Sequence, residues 1–371
     1  MAKHCKEGER MQHAEITGWG KCVPPAVLSN DDLATFLETS DEWVTSRTGI
    51  KERRICHCNF SDMALVAARR ALAAADLDAN ELDLILLGSL TNDSMCPNTA
   101  SLVADALGAR NAAALDINSA CTGFLYGLHI GTNLIRTGAH QKVLVIGGEF
   151  ISHYMNWARR DVAVLFGDAC GAVILEASDQ PVGLISAKIG CEADAKYAIQ
   201  ITNLGSAYSR LSTDFLYMGW NFEGPEVFKR AVKSMAQACA DVLEESGVSV
   251  QDVNLVVPHQ ANKRILNALA KRVGVDESKF FVNVHKYGNT SAGTIPVGLT
   301  EAIEEGRVAP GDYILSATFG AGLTWGAGII RWGNRVQPLS NSDAELPPCD
   351  KTALEILEPH IKRYAEHAQT G

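Results

Sequence analysis

Hydrophobic positions along this chain alternate between short continuous apolar runs and longer segments whose apolar residues recur at a helical period. Short apolar runs are typical of strands buried in parallel sheets, and spacings of three and four residues are typical of amphipathic helices. Strands and helices that alternate in this way predict an α/β fold with mostly parallel sheets covered by helices. The predicted strands are Ala14 to Trp19, Leu82 to Leu87, Ala112 to Ile117, Lys142 to Gly147, Ala172 to Leu175, Leu255 to Val257 and Tyr313 to Leu315. The predicted helices include one that starts at Ser29-Asn30, Ser61 to Ala75 and Thr99 to Leu107.

The second half of the pattern repeats the first, which predicts a duplicated α/β unit. A repeat of this length is too long for a solenoid. Two such halves packed face to face would bring equivalent strand ends together, and ligands bind at the carboxyl ends of strands in such sheets. The paired positions are Leu82 and Val253, 171 residues apart, Val143 and Tyr313, 170 apart, and Cys121 and Asn289, 168 apart.

Composition narrows the class of protein. The 371 residues are 47% hydrophobic and 20% charged, as in ordinary globular proteins. No apolar run approaches the roughly 20 residues of a membrane span, and a net charge of −10 argues against nucleic acid as a general partner. The ten cysteines lack regular spacing, and Met1 to Arg10 lacks an apolar signal segment, so we expect reduced thiols in the cytoplasm.

The stretch after the run Ala112 to Ile117 carries the strongest chemical signal. Small polar residues lead to Cys121, and a helical pattern begins at Gly123 and Phe124. A thiol at a helix start faces unpaired backbone N–H groups and the positive end of the helix dipole, which predicts a lowered pKa and a reactive nucleophile. The alternative is a structural cysteine, as most free cysteines are.

Two turns of the second half carry polar groups that match this cysteine. His259 follows the strand Leu255 to Val257, and Asn289 holds the position that the repeat pairs with Cys121. A lone histidine is more often structural. A thiol, an imidazole and an amide that all follow strand ends predict a shared site.

Three other signals leave alternatives open. Trp43 and Arg47 lie one helical turn apart and could face one ligand or form a surface cation–π pair. The glycine-containing turn Gly167 to Gly171 could cradle a phosphate or simply join two strands. The run Cys56-His57-Cys58 has no second half at metal-ligand spacing, so no metal is predicted.

Six short motifs in one register resemble the β-ketoacyl-acyl-carrier-protein synthase III family, the initiating condensing enzymes of bacterial fatty acid synthesis, which have the thiolase fold. They cover roughly Ala14 to Trp332. The motifs are Thr39-Ser40-Asp41-Glu42-Trp43 with Arg47-Thr48-Gly49, Ala120-Cys121-Thr122-Gly123-Phe124, Phe166-Gly167-Asp168, Pro258-His259-Gln260-Ala261-Asn262, Gly288-Asn289-Thr290-Ser291-Ala292, and Phe319-Gly320-Ala321-Gly322 with Thr324-Trp325-Gly326.

The resemblance implies an organisation. We expect two βαβαβ halves, residues 14–185 and 186–333, in a five-layered α-β-α-β-α arrangement that forms a homodimer. A loose tail, residues 1–13, precedes them. The chain also runs past the family's usual end near Trp332, and its extension, residues 334–371, contains a predicted helix from Thr352 to His367.

The resemblance also implies catalytic roles. Cys121 would attack an acyl-CoA thioester, and His259 and Asn289 would hold the thioester oxygen of malonyl-acyl-carrier protein while CO₂ is lost. Backbone N–H groups of Cys121 and Ala321 would bind the acyl carbonyl. The family often has glycine at Ala321, where an unusual φ would not tolerate alanine. An acyl-cysteine intermediate implies ping-pong kinetics, and CoA is a substrate here, with no cofactor required.

Further residues match the family's substrate sites. Trp43 and Arg160 would sandwich the CoA adenine, and Arg47 would contact a phosphate. Phe166 would line the acyl pocket, whose far end would be closed by Cys96 of the partner subunit. The acetyl-specific pattern has a large aromatic residue at Cys96, so we expect a longer or branched primer. The CoA-binding set is Thr39, Trp43, Arg47, Arg160, Phe228, Asn262 and Arg264, and the segment from Gly219 to Pro225 departs from the family's pattern.

Because the carrier protein is acidic, we expect it to dock on basic helix faces. The alternative is that these residues are simply solvated. The basic residues cluster in two predicted helices, with Lys229, Arg230 and Lys233 in one and Lys263, Arg264, Lys271 and Arg272 in the other, and we assign docking to Lys229, Arg264, Lys271 and Arg272.

Other functions remain compatible with the motifs. A condensing enzyme of secondary metabolism, such as one that makes quinolones, has the same fold. A thiolase or hydroxymethylglutaryl-CoA-synthase-like enzyme ranks lower, because thiolases use a second cysteine where Asn289 stands. The intact set of Cys121, His259 and Asn289 argues against a catalytically silent paralogue that only binds carrier protein.

Overall fold

A mixed nine-stranded sheet runs through both halves of the chain in the computed structural model, which describes residues 12–203, 205–208 and 218–370. The predicted tail thus lies almost wholly outside the described residues. The strands are β1 His13–Cys22, β2 Ala26–Ser29, β3 Glu52–Ile55, β4 Leu84–Gly88, β5 Ala113–Ile117, β6 Lys142–Glu149, β7 Ala169–Ser178, β8 Gly183–Cys191, β9 Ile199–Thr202, β10 Gly219–Phe222, β11 Val253–Val256, β12 Tyr313–Gly320 and β13 Thr324–Arg331. The helices are α1 Asn30–Ala34, α2 Asp41–Thr48, α3 Phe60–Ala75, α4 Thr99–Leu107, α5 Gly123–Arg136, α6 Arg160–Ala163, α7 Gly224–Ser246, α8 Lys263–Val273, α9 Val284–Tyr287, α10 Thr294–Glu304 and α11 Ala353–Thr370.

The order of strands in the sheet is β11-β12-β13-β8-β1-β7-β6-β4-β5. Strands β4, β5 and β6 are parallel, as are β11 and β12, whereas β7 and β13 run antiparallel to their neighbours. The two halves meet where β1 and β8 pair at Ala14 and Gly183 alone. The predicted boundary between residues 185 and 186 therefore falls inside β8.

Three hydrophobic cores lie between successive layers. The central core holds α5 and α10 between the inner faces of the two halves of the sheet, with Leu86, Leu128 and Ile314 among its buried residues. A second core packs α3 and α4 on the outer face of the first half. The third packs α7 and α8 on the outer face of the second half. This is the five-layered arrangement that the family resemblance implies.

Local chemistry explains where the helices start. In α1, the Ser29 side chain accepts from the backbone N–H of Asp32, whose carboxylate accepts in return from the N–H of Ser29. Such a capping box satisfies donors that have no partner in the first turn. Helix α4 starts at Thr99 because the Asn98 side chain caps it, and it ends at Gly108, which adopts φ 72°.

The two halves repeat at a constant offset of 171 residues, which corrects two equivalences, since Val143 repeats as Ile314 and not as the predicted Tyr313. Strand β6 repeats as β12, and α5 repeats as α10, which starts 171 residues later. Ala120 and Ser291, also 171 apart, both have a positive φ, of 49° and 51°. The repeat partner of Cys121 is therefore Ala292, and the predicted pairing of Cys121 with Asn289 is wrong. Two halves aligned by their apolar patterns alone can be misaligned by a few residues. Residues with a positive φ align at one offset only.

Two strand predictions also need correction. The run from Val282 to Asn289 does not repeat β5 as a strand, because its middle forms α9, and nearby strand-like pairing consists of isolated bridges from Phe280 to Val256 and from Asn289 to Phe166. Strand β5 itself is not buried as expected. It is the edge strand of the sheet, and its Leu115 side chain is 41% exposed.

The C-terminal extension packs on the first half of the chain. Its linker donates backbone N–H groups of Leu339 and Ser340 to the carbonyls of Ala74 and Ala73 at the end of α3. Helix α11 then buries Leu357 and Tyr364 in a cluster with Ile151, Met155 and Trp157. The predicted helix exists, and it covers the segment between β6 and α6. Within the described ranges, no helix is both long and apolar enough to cross a bilayer.

Candidate active site

A cavity of about 1130 Å³ opens where strands of both halves end. Cys121 follows the carboxyl end of β5, His259 follows that of β11, and Asn289 follows α9. All three line this cavity. The residues predicted from the sequence that line it are Trp43, Arg47, Cys121, Phe166, Phe228, His259, Asn262, Arg264, Asn289 and Ala321.

Cys121 lies in a short 3-10 turn that leads directly into α5. The start of α5 approaches β4 so closely that a Cβ on Gly88 would lie 2.4 Å from the carbonyl carbon of Gly123. Only glycine permits this contact, which fixes the turn that carries the thiol. Thr318 holds the turn from the other half by donating its hydroxyl to the Cys121 carbonyl at 3.0 Å.

The expected lowering of the Cys121 pKa is not observed. Burial raises the pKa of this thiol to about 12, and the nearby Glu149 carboxylate raises it further, while the Ser291 hydroxyl acts in the opposite direction. Desolvation disfavours the charged thiolate relative to the neutral thiol. In this arrangement the thiol is protonated at neutral pH, so its reaction requires a proton acceptor.

Ser291 and Glu149 are neighbours of the thiol that the sequence analysis did not single out. Ser291 Oγ lies 3.3 Å from Cys121 Sγ and 3.2 Å from Glu149 Oε1. Glu149 is fully buried as the last residue of β6. A charged residue directly after the apolar run from Val143 to Gly148, as Glu149 is, was a signal available in the sequence.

His259 is a buried, neutral histidine. Its Nδ1 lies 2.8 Å from Thr294 Oγ1, so Nε2 is the ring nitrogen left for a ligand. Burial lowers the pKa of His259 to about 3, which keeps the ring uncharged at neutral pH. Thr294 was not predicted, although it follows the Gly288 to Ala292 motif closely.

The side chain of Asn289 is oriented by the backbone. Its Oδ1 accepts the Ser291 N–H at 2.8 Å, which leaves the Nδ2 hydrogens as free donors toward the cavity that Asn289 lines. The Asn289 backbone is fixed too, because its N–H donates to the Leu165 carbonyl and its carbonyl accepts from Gly167. The motif containing Phe166 therefore serves to position Asn289.

The backbone at Ala321 is ordinary. Ala321 is not among the described non-glycine residues with positive φ, so alanine is tolerated at this position. The neighbouring Gly320 abuts the thiol turn, and a Cβ there would lie 2.9 Å from the Cys121 nitrogen. The backbone of residues 320–321 and that of Cys121 therefore line the same part of the cavity.

A cluster of charged and aromatic side chains lies at one end of the cavity, where Trp43 and Arg47 line it. The guanidinium of Arg47 lies 4.5 Å from the Trp43 ring centre, and that of Arg160 lies 4.4 Å from it. The cation–π alternative for Trp43 and Arg47 is thus observed. A gap of 4.4 Å is too small for a base between Trp43 and Arg160, so binding of adenine between them requires Arg160 to move.

Three residues predicted for the CoA site and the acyl pocket lie outside the cavity lining: Thr39, Arg160 and Cys96. Arg160 lies beside the lining residue Trp43 and donates to the Glu38 carbonyl. Cys96 lies exposed in the loop before α4. Asn262 lines the cavity but uses its side-chain oxygen to cap α8, since it accepts from the Arg264 N–H at 2.8 Å.

The other sequence signals have structural explanations. The Asp168 carboxylate is buried and accepts from the N–H groups of Cys56 and Ser152, so its turn clamps neighbouring segments and offers no phosphate cradle. Cys56 and Cys58 have their sulfurs 3.5 Å apart. Among the described residues, no group of three metal-ligating side chains could hold an ion.

Two family models match the chain, and they describe the same enzyme family. The one described as 3-oxoacyl-[acyl-carrier-protein] synthase III matches residues 115–193, and the one for its C-terminal part matches residues 243–332. The β-ketoacyl-[acyl-carrier-protein] synthase III 2 of Vibrio vulnificus strain YJ016 is 55% identical over 350 residues, which cover 94% of this chain and 97% of that protein. The chain belongs to the β-ketoacyl-acyl-carrier-protein synthase III family. The predictions of an acyltransferase and a condensing enzyme are confirmed.

Solved structures of the synthase III family have the same fold. The 3-oxoacyl-[acyl-carrier-protein] synthase III from Aquifex aeolicus VF5 has a TM-score of 0.80 at 43% identity, covering 86% of this chain and 100% of its own. The priming β-ketosynthase from the R1128 polyketide biosynthetic pathway has a TM-score of 0.84 at 30% identity, covering 90% of this chain and 99% of its own. The expected thiolase-like fold is confirmed.

The synthase III family models end at residue 332, so helix α11 lies beyond the region that they describe.

The basic residues expected to dock a carrier protein divide into two groups. Arg230 forms ion pairs with Glu192, Asp194 and Glu226, so its charge is not available to a carrier protein. The available group is exposed and forms no ion pair within the described ranges; it comprises Lys229, Lys233, Lys263, Arg264, Lys271 and Arg272.

Proposed function

We propose that this chain joins an acyl group from an acyl-CoA to malonyl-acyl-carrier protein in a decarboxylative Claisen condensation that initiates fatty acid synthesis. The observation that carries the proposal is that a thiol, a neutral imidazole and an oriented amide converge at one cavity. The membership of the chain in the synthase III family supports the same reaction. The products are β-ketoacyl-carrier protein, CO₂ and CoA.

In the first half-reaction, Cys121 attacks the acyl-CoA thioester, and CoA leaves. The tetrahedral intermediate carries negative charge on the former carbonyl oxygen, which requires preorganised donors. The backbone N–H groups of Cys121 and Ala321 take this role. This assignment is supported by the close packing of Gly320 against the Cys121 turn, which brings the two backbone segments together.

In the second half-reaction, malonyl-carrier protein loses CO₂, and an enolate forms. Asn289 donates from Nδ2, because its oxygen is held by the Ser291 N–H. His259 donates from Nε2 in the tautomer in which the Thr294 hydroxyl donates to Nδ1. One preorganised donor of this kind can contribute about 3 kcal/mol to transition-state stabilisation. The enolate then attacks the acyl-cysteine.

The substrates enter past the end of the cavity lined by Trp43, Arg47 and Arg264. The guanidinium groups suit the CoA phosphates, and Phe228 and Asn262 contact the pantetheine arm. Thr39 and Arg160 complete the CoA site once Arg160 leaves the Trp43 ring. The exposed Lys229, Arg264, Lys271 and Arg272 attract the acidic carrier protein despite the net charge of −10.

The chain acts as a homodimer in this proposal. Strand β5 has a free edge among the described strands and exposes Leu115, features that pairing with a second copy would cover. Phe166 lines the acyl pocket, and Cys96 of the partner subunit would close its far end with a small side chain, which favours a primer longer than acetyl. The cytoplasmic location expected from the cysteines stays a prediction.

Intact mass measurement tests the proposal. Purified protein is mixed with acyl-CoAs from acetyl to decanoyl, and we expect an adduct at Cys121 that disappears when malonyl-carrier protein is added. Cys121→Ala should form no adduct, and Cys349→Ser, which removes a thiol of the C-terminal linker, should form it normally. Absence of any adduct would favour the silent paralogue. An adduct from acetyl-CoA alone would contradict the longer primer.

A further inference from the structure

We propose that Ser291 and Glu149 form a proton relay that accepts the thiol proton of Cys121 during acylation and returns it to the departing CoA sulfur. The inference rests on the proposed function and adds to it the source of thiol activation. Ser291 Oγ lies 3.3 Å from Cys121 Sγ and 3.2 Å from Glu149 Oε1, so one hydroxyl links the two groups.

The hydroxyl of Ser291 has one hydrogen, and the protonation states of Cys121 and Glu149 decide which of the two groups receives it. When Cys121 is a thiol and Glu149 a carboxylate, the thiol donates to Ser291 Oγ and Ser291 donates to Glu149. The Ser291 backbone cannot turn away from this position. Its N–H is bound to Asn289 Oδ1, and its carbonyl accepts from the Thr294 backbone N–H.

The surroundings of Glu149 suit a group that gains and loses a proton near neutral pH. Its carboxylate accepts from Ser89 Oγ at 3.0 Å and the Leu90 N–H at 3.1 Å, and also from Thr91. It forms no ion pair within the described ranges. Burial without a cation raises the pKa of Glu149 to about 7, even though these hydrogen bonds lower it. The ionisable groups whose pKa values its charge raises are Cys121, Cys170 and Tyr154.

A purely structural role for Glu149 explains only some of its hydrogen bonds. The contacts with Ser89, Leu90 and Thr91 would tie the loop after β4 to the end of β6. They do not account for the fourth contact, through Ser291 to the sulfur. A fixed negative charge beside a thiol opposes thiolate formation, so Glu149 assists Cys121 only if it accepts the proton.

His259 is less well placed for this task. Its Nδ1 is bound to Thr294, and no hydrogen bond joins it to Cys121 among the described residues. The thiol has a hydrogen-bond partner in Ser291 instead. Thiol activation and enolate binding are thereby assigned to different groups, with Ser291 and Glu149 serving the first step and His259 and Asn289 the second.

The proton balance is complete without any further reactant. The Cys121 S–H proton moves to Ser291 Oγ as the Ser291 proton moves to Glu149 Oε1, and the sulfur bonds to the acyl carbon. When the tetrahedral intermediate collapses, the bond between that carbon and the CoA sulfur breaks. The proton then returns from Glu149 through Ser291 to the CoA sulfur, which leaves as a thiol.

Rapid-quench acylation of Cys121 at pH 7 tests the relay with Glu149→Gln and Ser291→Ala. We expect each variant to be acylated about 10²-fold more slowly, the usual magnitude for loss of general-base assistance. If Glu149 acted through its charge alone, Glu149→Gln would react faster, because the carboxylate raises the pKa of the thiol. A rate equal to or above that of the unchanged chain overturns the relay.

The pH dependence gives a second readout, which a structural defect would not mimic. The unchanged chain should show an acylation rate that rises to a plateau with an inflection near pH 7, where Glu149 ionises. In both variants this inflection should vanish, and the rate should rise tenfold per pH unit toward the pKa of the thiol, which burial keeps well above neutral pH. Retention of the inflection in either variant contradicts the relay.

Alkylation of Cys121 by iodoacetamide, followed by peptide mass mapping, separates this inference from the proposed function. The reagent needs the thiolate and no CoA site. If no acyl-CoA forms an adduct with the unchanged chain, the proposed function fails, while the alkylation profile still reports on the relay. Glu301→Gln is the matched control. It alters another buried carboxylate, which accepts from Asn283, and should keep the inflection.

Discussion

At the residue scale, the hydroxyl of Thr294 determines which nitrogen of His259 can donate. The hydroxyl lies 2.8 Å from His259 Nδ1 and 2.9 Å from the Ser291 carbonyl, and it can donate to only one of them at a time. Donation to Ser291 requires Nδ1 to carry the ring hydrogen and leaves Nε2 as an acceptor. Donation to Nδ1 places the hydrogen on Nε2, as enolate binding requires. Thr294 is thus a positioning residue for His259.

Thr294→Val should slow the second half-reaction selectively. Valine keeps the shape but cannot donate to Nδ1, so the tautomer with hydrogen on Nε2 loses its partner. We expect discharge of the acyl-cysteine by malonyl-carrier protein to slow about 10²-fold, comparable to loss of one oxyanion donor. Single-turnover discharge of preformed acyl-enzyme measures this step.

Thr294→Ser, which retains the hydroxyl, is the control and should stay close to the unchanged chain. Formation of the acyl-enzyme should be unaffected in Thr294→Val, because His259 forms no described hydrogen bond with Cys121. Equal slowing of both half-reactions would show that the substitution merely disturbs the fold.

At the scale of elements, helix α11 is attached through a hydrogen-bonded pair of histidines, His153 and His360. His153 donates from Nε2 to the Cys56 carbonyl at 2.9 Å, so its Nδ1 must accept from His360 Nε2 at 3.0 Å. The His153 ring also stacks on Phe150 at 4.0 Å. A proton added to the His360 ring puts a charge into this partly buried contact.

Acid should therefore loosen α11. Burial, followed by the charges of His153 and Arg363, lowers the pKa of His360 to about 4. A depressed histidine pKa means that the unfolded segment binds the proton more tightly. The stabilisation is thus complete above pH 6.5, the ordinary value, and is lost as the pH falls toward 4. Hydrogen exchange of residues 353–366, corrected for intrinsic rates, should speed up between pH 7 and pH 5.

His360→Gln is the matched variant, because glutamine can donate to His153 but cannot gain a charge. Its exchange in this segment should change less between the two pH values than that of the unchanged chain. An equally large change in both proteins would assign the effect to other groups.

Tyr364, whose hydroxyl accepts from the Met218 N–H at 3.0 Å, gives a second contact through which α11 holds the body of the chain.

At the scale of the whole molecule, the layered fold places the catalytic residues between two halves of the chain. Few backbone hydrogen bonds join strands of one half to strands of the other. Strands β1 and β8 pair at one position only, so the central core around α5 and α10 holds the halves together. Both halves end their strands at the cavity, which is why neither could form the site alone. The outer edge of the first half, strand β5, has no neighbouring strand among the described residues, as the proposed homodimer requires.

Leu115→Lys should shift the protein from dimer to monomer in sedimentation velocity. A charge on an edge strand opposes pairing with another strand, and burial of Leu115 would no longer stabilise the interface. Val27→Lys, at an apolar side chain of similar exposure on β2, is the control and should leave the dimer intact. A dimer that persists in Leu115→Lys would place the interface elsewhere.

The sequence alone determined the layered α/β fold, the duplication and the three residues that converge at the cavity. It could do so because apolar periods, caps and strand-end turns are local signals. Helix α4 matched its predicted bounds for this reason, as both its Asn98 cap and its terminal Gly108 are visible in the chain. The resemblance of the six motifs supplied the roles of Cys121, His259 and Asn289.

Tertiary structure alone decided what depends on distance and burial. The thiol pKa rises because the Cys121 turn is desolvated between two halves, which no local pattern records. The contact from Glu149 to Ser291 joins residues 142 positions apart. The edge position of β5 and the true repeat offset likewise follow from pairing and backbone angles. The sequence indicated which groups react, and packing decided their protonation.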